Sequence, residues 1–321
     1  MATLYLDRRD LAVELESGRL RVRHPDGGLR DVPLALLERV VITATTRLDS
    51  SLLAALGAAG VAVMIINPRN VDRVAFVLGR PHNDLRVRLG QYRQLGDTGW
   101  IEQWARHLVR AKLIGQRRLL RNAMALRPQQ RLPLYKGIKA LDAAIARCDQ
   151  SNAVATLRGI EGAAAAAYFA ALGALFPEPL HFSGRNRRPP RDPVNVLLSL
   201  TYTLLHFEAV RASYTVGLDP YLGFYHRPAF GRESLASDLM EPLRPIADRL
   251  VWRLLAEQTL RAEHFHHQDN ACLLGKAGRG HFYAAYEAFA ERPRRLLRRY
   301  CRELARALRA RGPELAEPDD E

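Results

Sequence analysis

Near residue 80 the apolar residues of this chain stop alternating and take up helical spacing, and the strand pattern does not return. That switch divides the chain into a small β-rich block and a helical one, as a length of 321 residues also favours. Before it, LAVEL and RLRVR alternate apolar and polar residues, with Ser17-Gly18 and Asp26-Gly27-Gly28 as turns, which predicts hairpins. VVIT at 40 to 43 and VAVMII at 61 to 66 are unbroken runs of the kind that form buried strands. Ser50 and Ser51 stand ready to cap a short helix, LLAALGAAG. After the switch, WIEQWARHLVRAKLIGQRRLLRNAM pairs an apolar stripe with a face of arginine and lysine that reads as solvated or phosphate-facing. Pro128 to Pro133 breaks the pattern; helical segments then run to about Phe176, and Asn195 opens an amphipathic helix, VLLSLTYTLLHFEAVRASYTVGL. The expected fold is α+β: a small β-rich domain over 1–80, a linker over 81–90, an all-α domain over 91–311 and a disordered acidic tail over 312–321.

Charge narrows the partners. Among 321 residues, 48 lysines and arginines against 34 acids leave a formal charge of +14, which calls for a polyanionic partner or a membrane surface. Cys148, Cys272 and Cys301 show no metal-ligand pairing and predict a reducing compartment. The N-terminus MATLYLDRRD carries charge where a signal peptide needs an apolar run. The longest apolar window, Ala163 to Phe176, is too short to span a bilayer, so the expectation is a soluble cytoplasmic protein without a membrane partner.

Side chains able to hold a metal beside a phosphate concentrate in GLDPYLGFYHRPAFGRESLASDLMEPLRP, from Gly217 to Pro245. His226 lies in a turn-rich stretch, whereas Asp238 and Glu241 share a helix face. Imidazole with carboxylates suits Mg²⁺, Mn²⁺ or Zn²⁺; the plainer alternative is a solvated histidine and acids that only complement a helix dipole. Glu161 is the one charged residue between Gly159 and Pro177, in a small-residue segment that packs closely, so its carboxylate needs a partner such as Arg158. Tyr168 lies two turns along the same stripe, as core or as near-site support. The loop HFSGRNRRPPRDPVN presents Arg187, Arg188 and Arg191, or is a linker with incidental charge. His206 and Glu208 read as a hydrogen-bonded core pair. LLGKAGRG reads as a glycine-rich turn whose Lys276 and Arg279 meet phosphate, and HFHHQD at 264 to 269 lacks the cysteines of a zinc site.

Four segments in this order, GIEG at 159 to 162, RRPPRDPVN at 187 to 195, GLDPYLGFYH at 217 to 226 and SLASDLMEPLRP at 234 to 245, resemble the CRISPR-associated adaptation integrase, the first-numbered Cas protein. The resemblance covers most of the chain. It implies an N-terminal β domain that dimerises, a helical catalytic domain, and a homodimer working with the small second Cas protein. It also implies a Mg²⁺- or Mn²⁺-dependent DNA endonuclease and integrase that inserts spacer DNA at a CRISPR repeat in antiviral defence, by phosphodiester hydrolysis and transesterification. Glu161, His226 and Glu241 would be metal ligands with Asp238 beside them. Many relatives carry aspartate where this chain has Glu241, which leaves Asp238 and Glu241 both as candidates for the direct ligand. Arg187, Arg188, Arg191, Arg244, Lys276 and Arg279 would hold DNA backbone, and Asn195 would support the site. The rival readings are a metal-dependent repair nuclease and a non-enzymatic basic DNA-binding protein.

Overall fold

Alternation makes strands in the first block. β1 (Ala2–Leu6), β2 (Leu11–Glu16), β3 (Arg19–Arg23), β4 (Leu29–Pro33), β5 (Leu37–Ile42), β6 (Thr46–Leu48), β7 (Ala62–Asn67) and β8 (Asn70–Val77) form two four-stranded sheets, ordered β1-β5-β7-β8 and β4-β3-β2-β6. A computed structural model describes residues 2–67, 70–80, 82–151, 153–186 and 189–313. The β2-β3-β4 hairpins follow the turn signals; the parallel pairings of β1 with β5, β5 with β7 and β2 with β6 join strands distant in sequence. Leu6, Val13, Leu20, Val40 and Val63 meet in the core between the sheets, with Leu52 and Leu56 of α1 (Ser50–Ala58). Asp49, rather than Ser50 or Ser51, is the N-cap of α1.

The chain divides into one unit of Met1–His82 with Arg279–Glu287, and a second of Asn83–Gly278 with Ala288–Glu321. The C-terminal contribution to the first unit is chemical as well as spatial. Glu287 accepts hydrogen bonds from Tyr5 Oη at 2.7 Å and Thr3 Oγ1 at 3.0 Å, and Tyr283 stacks on Tyr5 with ring centroids 4.2 Å apart. Residues 85–90, expected as linker, form the first turns of α2 (Leu85–Gln94), because the Asp84 side chain caps the Arg86 N–H.

The second unit holds α2, α3 (Thr98–Leu126), α4 (Arg131–Asp149), α5 (Val154–Gly173), α6 (Pro193–Tyr214), α7 (Ser234–Met240), α8 (Arg244–Ala256) and parts of α9 (Lys276–Arg309). It is not purely helical: FHHQ and ACLL pair as an antiparallel hairpin, β9 (Phe265–Gln268) and β10 (Ala271–Leu274). No helix among the described residues is long and apolar enough to cross a membrane. The break at Pro128 is real, but Pro133 sits in the first turn of α4, where its missing N–H costs nothing. Expected as amphipathic, α6 is instead buried on almost every side, because the run from Val194 to Leu205 lacks a charged face. His206 and Glu208 do not pair: two residues apart, they face different ways. His206 Nε2 lies 3.3 Å from Glu233 Oε2, and Glu208 Oε1 accepts from Arg294 Nε at 2.7 Å. The acidic tail from residue 314 lies outside the described residues.

Close packing of α4 on α5 and α3 depends on Gly137, where an added Cβ would lie 2.5 Å from Ala171 Cβ and 2.9 Å from Leu120 Cδ1. Gly137→Ala is expected to lower unfolding stability by about 1–3 kcal/mol, the usual range for overpacking, read as a lower urea midpoint at unchanged slope.

Candidate functional site

The site is built on α3, α5, the loop before α7, and the junction of α7 with α8. α3 buries Ala105, Leu108, Val109, Lys112, Leu113, Gln116, Leu119, Leu120 and Ala123, a helical stripe in which Lys112 stands among apolar neighbours. Its stem lies in the core and its ammonium reaches two carboxylates. Nζ lies 2.6 Å from Glu241 Oε2 and contacts Glu161 Oε1 from α5. Tyr225 donates its hydroxyl to the other oxygen, Glu161 Oε2. Glu241, in a one-turn 3-10 helix at Glu241–Leu243, also lies 2.8 Å from Arg244 Nε and 4.0 Å from His226 Nε2.

Asp238 has a different job. Its fully buried carboxylate accepts backbone N–H groups from Phe224 at 2.8 Å, Tyr225 at 2.9 Å and His226 at 2.9 Å, and His226 Nδ1 stands 2.7 Å from Oδ1. A carboxylate only accepts, so Nδ1 carries the hydrogen, and in the neutral ring Nε2, on the Glu241 side, keeps its lone pair. Gly223 permits the loop to lie against the start of α7: a Cβ there would come 2.6 Å from the Ser234 carbonyl carbon.

A second buried cluster adjoins the first through Arg244. Its guanidinium sits 4.5 Å from the centroid of the Tyr202 ring, Tyr202 donates to Asp248 Oδ1, and Tyr168 donates to Asp248 Oδ2 at 2.7 Å. Burial pushes the Asp248 carboxyl up to about 6, against the opposing pull of the two tyrosine hydroxyls and Arg244. Burial also pushes Glu241 upward, but Arg244 and Lys112 more than reverse this and hold it at about 2. The Tyr225 phenol is raised far above its ordinary value by burial and then by the Glu161 charge.

Of the residues expected at the site, Glu161, His226, Asp238 and Glu241 come together. Among the described residues no three histidine, cysteine or acidic side chains form a ready cage, and the Lys112 ammonium occupies the space between the two glutamates. Tyr168 points to Asp248. Asn195 organises the basic loop: its Nδ2 donates to Gly184 O at 2.8 Å and Asp192 Oδ2 at 2.6 Å, and its Oδ1 accepts from Arg185. Arg244 is drawn inward to Glu241, and Arg191 is exposed. Arg187 and Arg188 lie outside the described residues. Lys276 and Arg279 do not lie in a turn but in the first turns of α9. Gly278 is there for packing, since a Cβ would meet Leu274 Cδ1 at 2.6 Å and His264 Cβ at 2.9 Å. Sequence reading missed Lys112, Tyr225, Tyr202 and Asp248. The signal for Lys112 was present, a cation at a core position of the α3 stripe, whereas the tyrosines and Asp248 looked like ordinary core and surface residues.

A family model described as CRISPR associated protein Cas1 matches residues 4–288. The CRISPR-associated endonuclease Cas1 1 of Thermodesulfovibrio yellowstonii is 34% identical over 301 residues, covering 93% of this chain and 94% of that one. The fold is shared with solved structures. A casposase bound to its integration product has a TM-score of 0.84 at 21% identity, with 100% of this chain and 95% of that one covered. A Cas6-RT-Cas1–Cas2 complex gives 0.80 at 22% identity, over 99% of this chain and 36% of that one.

Asp238→Ala leaves three backbone N–H groups without their acceptor, and a loss of roughly 3 kcal/mol or more is expected in urea unfolding. Asp248 sets a pH dependence of opposite sign to that of a salt-bridged acid. Its folded pKa of about 6 lies above the ordinary 3.8, so the native state binds the extra proton and stability falls as pH rises through that window. The fall from Asp248 is at most about 3 kcal/mol at 1.36 per unit, and Asp248→Asn should flatten the stability curve between pH 4 and 6.

Proposed function

We propose that this chain, which belongs to the CRISPR-associated Cas1 family, is a divalent-metal-dependent DNA endonuclease and integrase that joins new spacer DNA into a CRISPR repeat array. The observation that carries the reading is the convergence of Glu161, Glu241 and an Asp238-oriented His226 in a chain of formal charge +14. Two hard carboxylates and one imidazole fit Mg²⁺ or Mn²⁺, and the ammonium between the glutamates supports this as a place for positive charge. Such an ion supplies Lewis-acid stabilisation of charge on a phosphoryl oxygen, on the order of several kcal/mol.

The chain's own residues take distinct parts. Glu161, His226 Nε2 and Glu241 hold the ion. Asp238 is no ligand in this reading: both its oxygens are committed to N–H groups, and it fixes the imidazole tautomer and direction from behind. Tyr225 keeps the Glu161 carboxylate turned toward the site. Exposed Arg191 and Lys276, with Arg279, Arg187 and Arg188, bind phosphate backbone by charge. Arg244 acts on Glu241 rather than on DNA. A 3′-hydroxyl of the captured fragment attacks a phosphodiester phosphorus at the repeat end, a new P–O bond forms in line, and a 3′-oxygen leaves; no covalent enzyme intermediate is needed. A second copy of the chain and the small second Cas protein complete the assembly, a reading supported by the family and by the fold shared with the Cas1–Cas2 assembly.

The test is strand transfer of a short duplex with a 3′-hydroxyl into a repeat-bearing plasmid with Mn²⁺, Mg²⁺ or chelator. Glu161→Gln is expected to reduce joining by about 10² or more, at about 1.4 kcal/mol per tenfold, with DNA affinity kept. Joined product in chelator, or in Glu161→Gln at the wild-type rate, overturns the metal site. Cut but never joined DNA favours a repair nuclease, and binding without any chemistry favours a non-enzymatic binder.

A further inference from the structure

Lys112 belongs to no part of the reaction described above, yet it sits between two of the three proposed ligands. Its ammonium lies 2.6 Å from Glu241 Oε2 and in contact with Glu161 Oε1, and its side chain is only 11% exposed. We propose that Lys112 is a tethered cation that holds the site in its metal-free form and gives way when a divalent ion binds, leaving its ammonium for a phosphate of the incoming DNA. The inference rests on the reading of Glu161, His226 and Glu241 as the metal-holding set.

Three physical points lead there. Two glutamates facing one pocket repel each other in a buried setting, and the metal-free fold needs a positive group between them. Arg244 serves Glu241 from another side, and among the described residues Lys112 is the cation ion-paired with both glutamates. A carboxylate oxygen with an ammonium at 2.6 Å cannot also take a hard ion at about 2.1 Å without setting like charges side by side, so metal and ammonium compete for the same two carboxylates. Lysine suits this exchange: its charge rides on a flexible four-carbon stem with no fixed fork, and the stem is already packed along α3.

The experiment measures Mn²⁺ binding by calorimetry and, separately, modification of Lys112 by an amine-reactive ester, read by mass spectrometry on the full-length protein. Lys112→Met is expected to bind Mn²⁺ roughly fivefold or more tightly than wild type, the scale of a modest coupling between two binding events, and to gain more thermal stability from Mn²⁺. In the wild type, saturating Mn²⁺ should raise modification of Lys112 by a similar factor, and adding duplex DNA should suppress it again. Unchanged labelling on metal saturation overturns the proposal, and because it needs no variant this readout stands even where Lys112→Met fails to fold. Equal Mn²⁺ affinity in a folded Lys112→Met protein overturns it too. Glu161→Gln and Glu241→Gln separate the two readings. If they lose Mn²⁺ while Lys112 of the Mn²⁺-saturated wild type stays shielded, only the lysine's role falls; if the wild type binds no Mn²⁺, the metal site falls with it.

Discussion

One carboxylate fixes the geometry on which the site depends. Asp238 spends its acceptor capacity on three consecutive N–H groups, those of Phe224, Tyr225 and His226, and on the imidazole Nδ1. A loop would otherwise leave those donors unpaired in a buried place. By taking all of them, Asp238 converts a glycine- and proline-rich stretch into a rigid bracket, so that Tyr225 and His226 emerge with set directions on either side of the glutamates. The side chain that holds the backbone also holds the ring, so loop conformation and imidazole orientation change together or not at all.

Behind that bracket the charges alternate in sign. Glu161 meets Lys112, Lys112 meets Glu241, Glu241 meets Arg244, and Arg244 caps the face of Tyr202, whose hydroxyl serves Asp248. Buried pairs of this kind seldom add net stability over a well-packed apolar core, though losing one member is costly because the other is left uncompensated. Their presence therefore points to chemistry rather than to folding energy. Asp248 shows the strain of the arrangement: with burial acting on it more strongly than its hydroxyl donors, it holds its proton well above the ordinary carboxylate range.

How much of this could be read in the sequence differs between backbone and site. Local signals worked where local physics decides: alternation marked β2 and β3, and the run VAVMII marked β7. They were silent about pairing between distant segments, as in the parallel β1-β5-β7 order, since nothing in a strand's own residues names its neighbour. The hairpin of β9 and β10 escaped because histidines obscured a pattern only four residues long. At the site, acids and histidine were legible by type and by a family resemblance. Which oxygen faces what was not: the division of labour between Asp238 and Glu241 depends on N–H groups of a loop twelve or more residues away. Lys112 was hidden by composition, one cation among the many of an arginine-rich helix, although its place on the buried stripe sets it apart.

The N-terminal sheet unit includes residues Arg279–Glu287, and Glu287 bonds to Thr3 and Tyr5 across a sequence separation of 284 and 282 residues. A ribosome delivers strands β1 to β8 about two hundred residues before this helical segment. The β-rich half thus leaves the exit tunnel without the piece that completes it, and its final closure must wait until residues Arg279–Glu287 have been made. Synthesis of Asn83–Gly278, the larger part of the helical unit, falls between the start and the finish of the first unit, which ties maturation of both to one event.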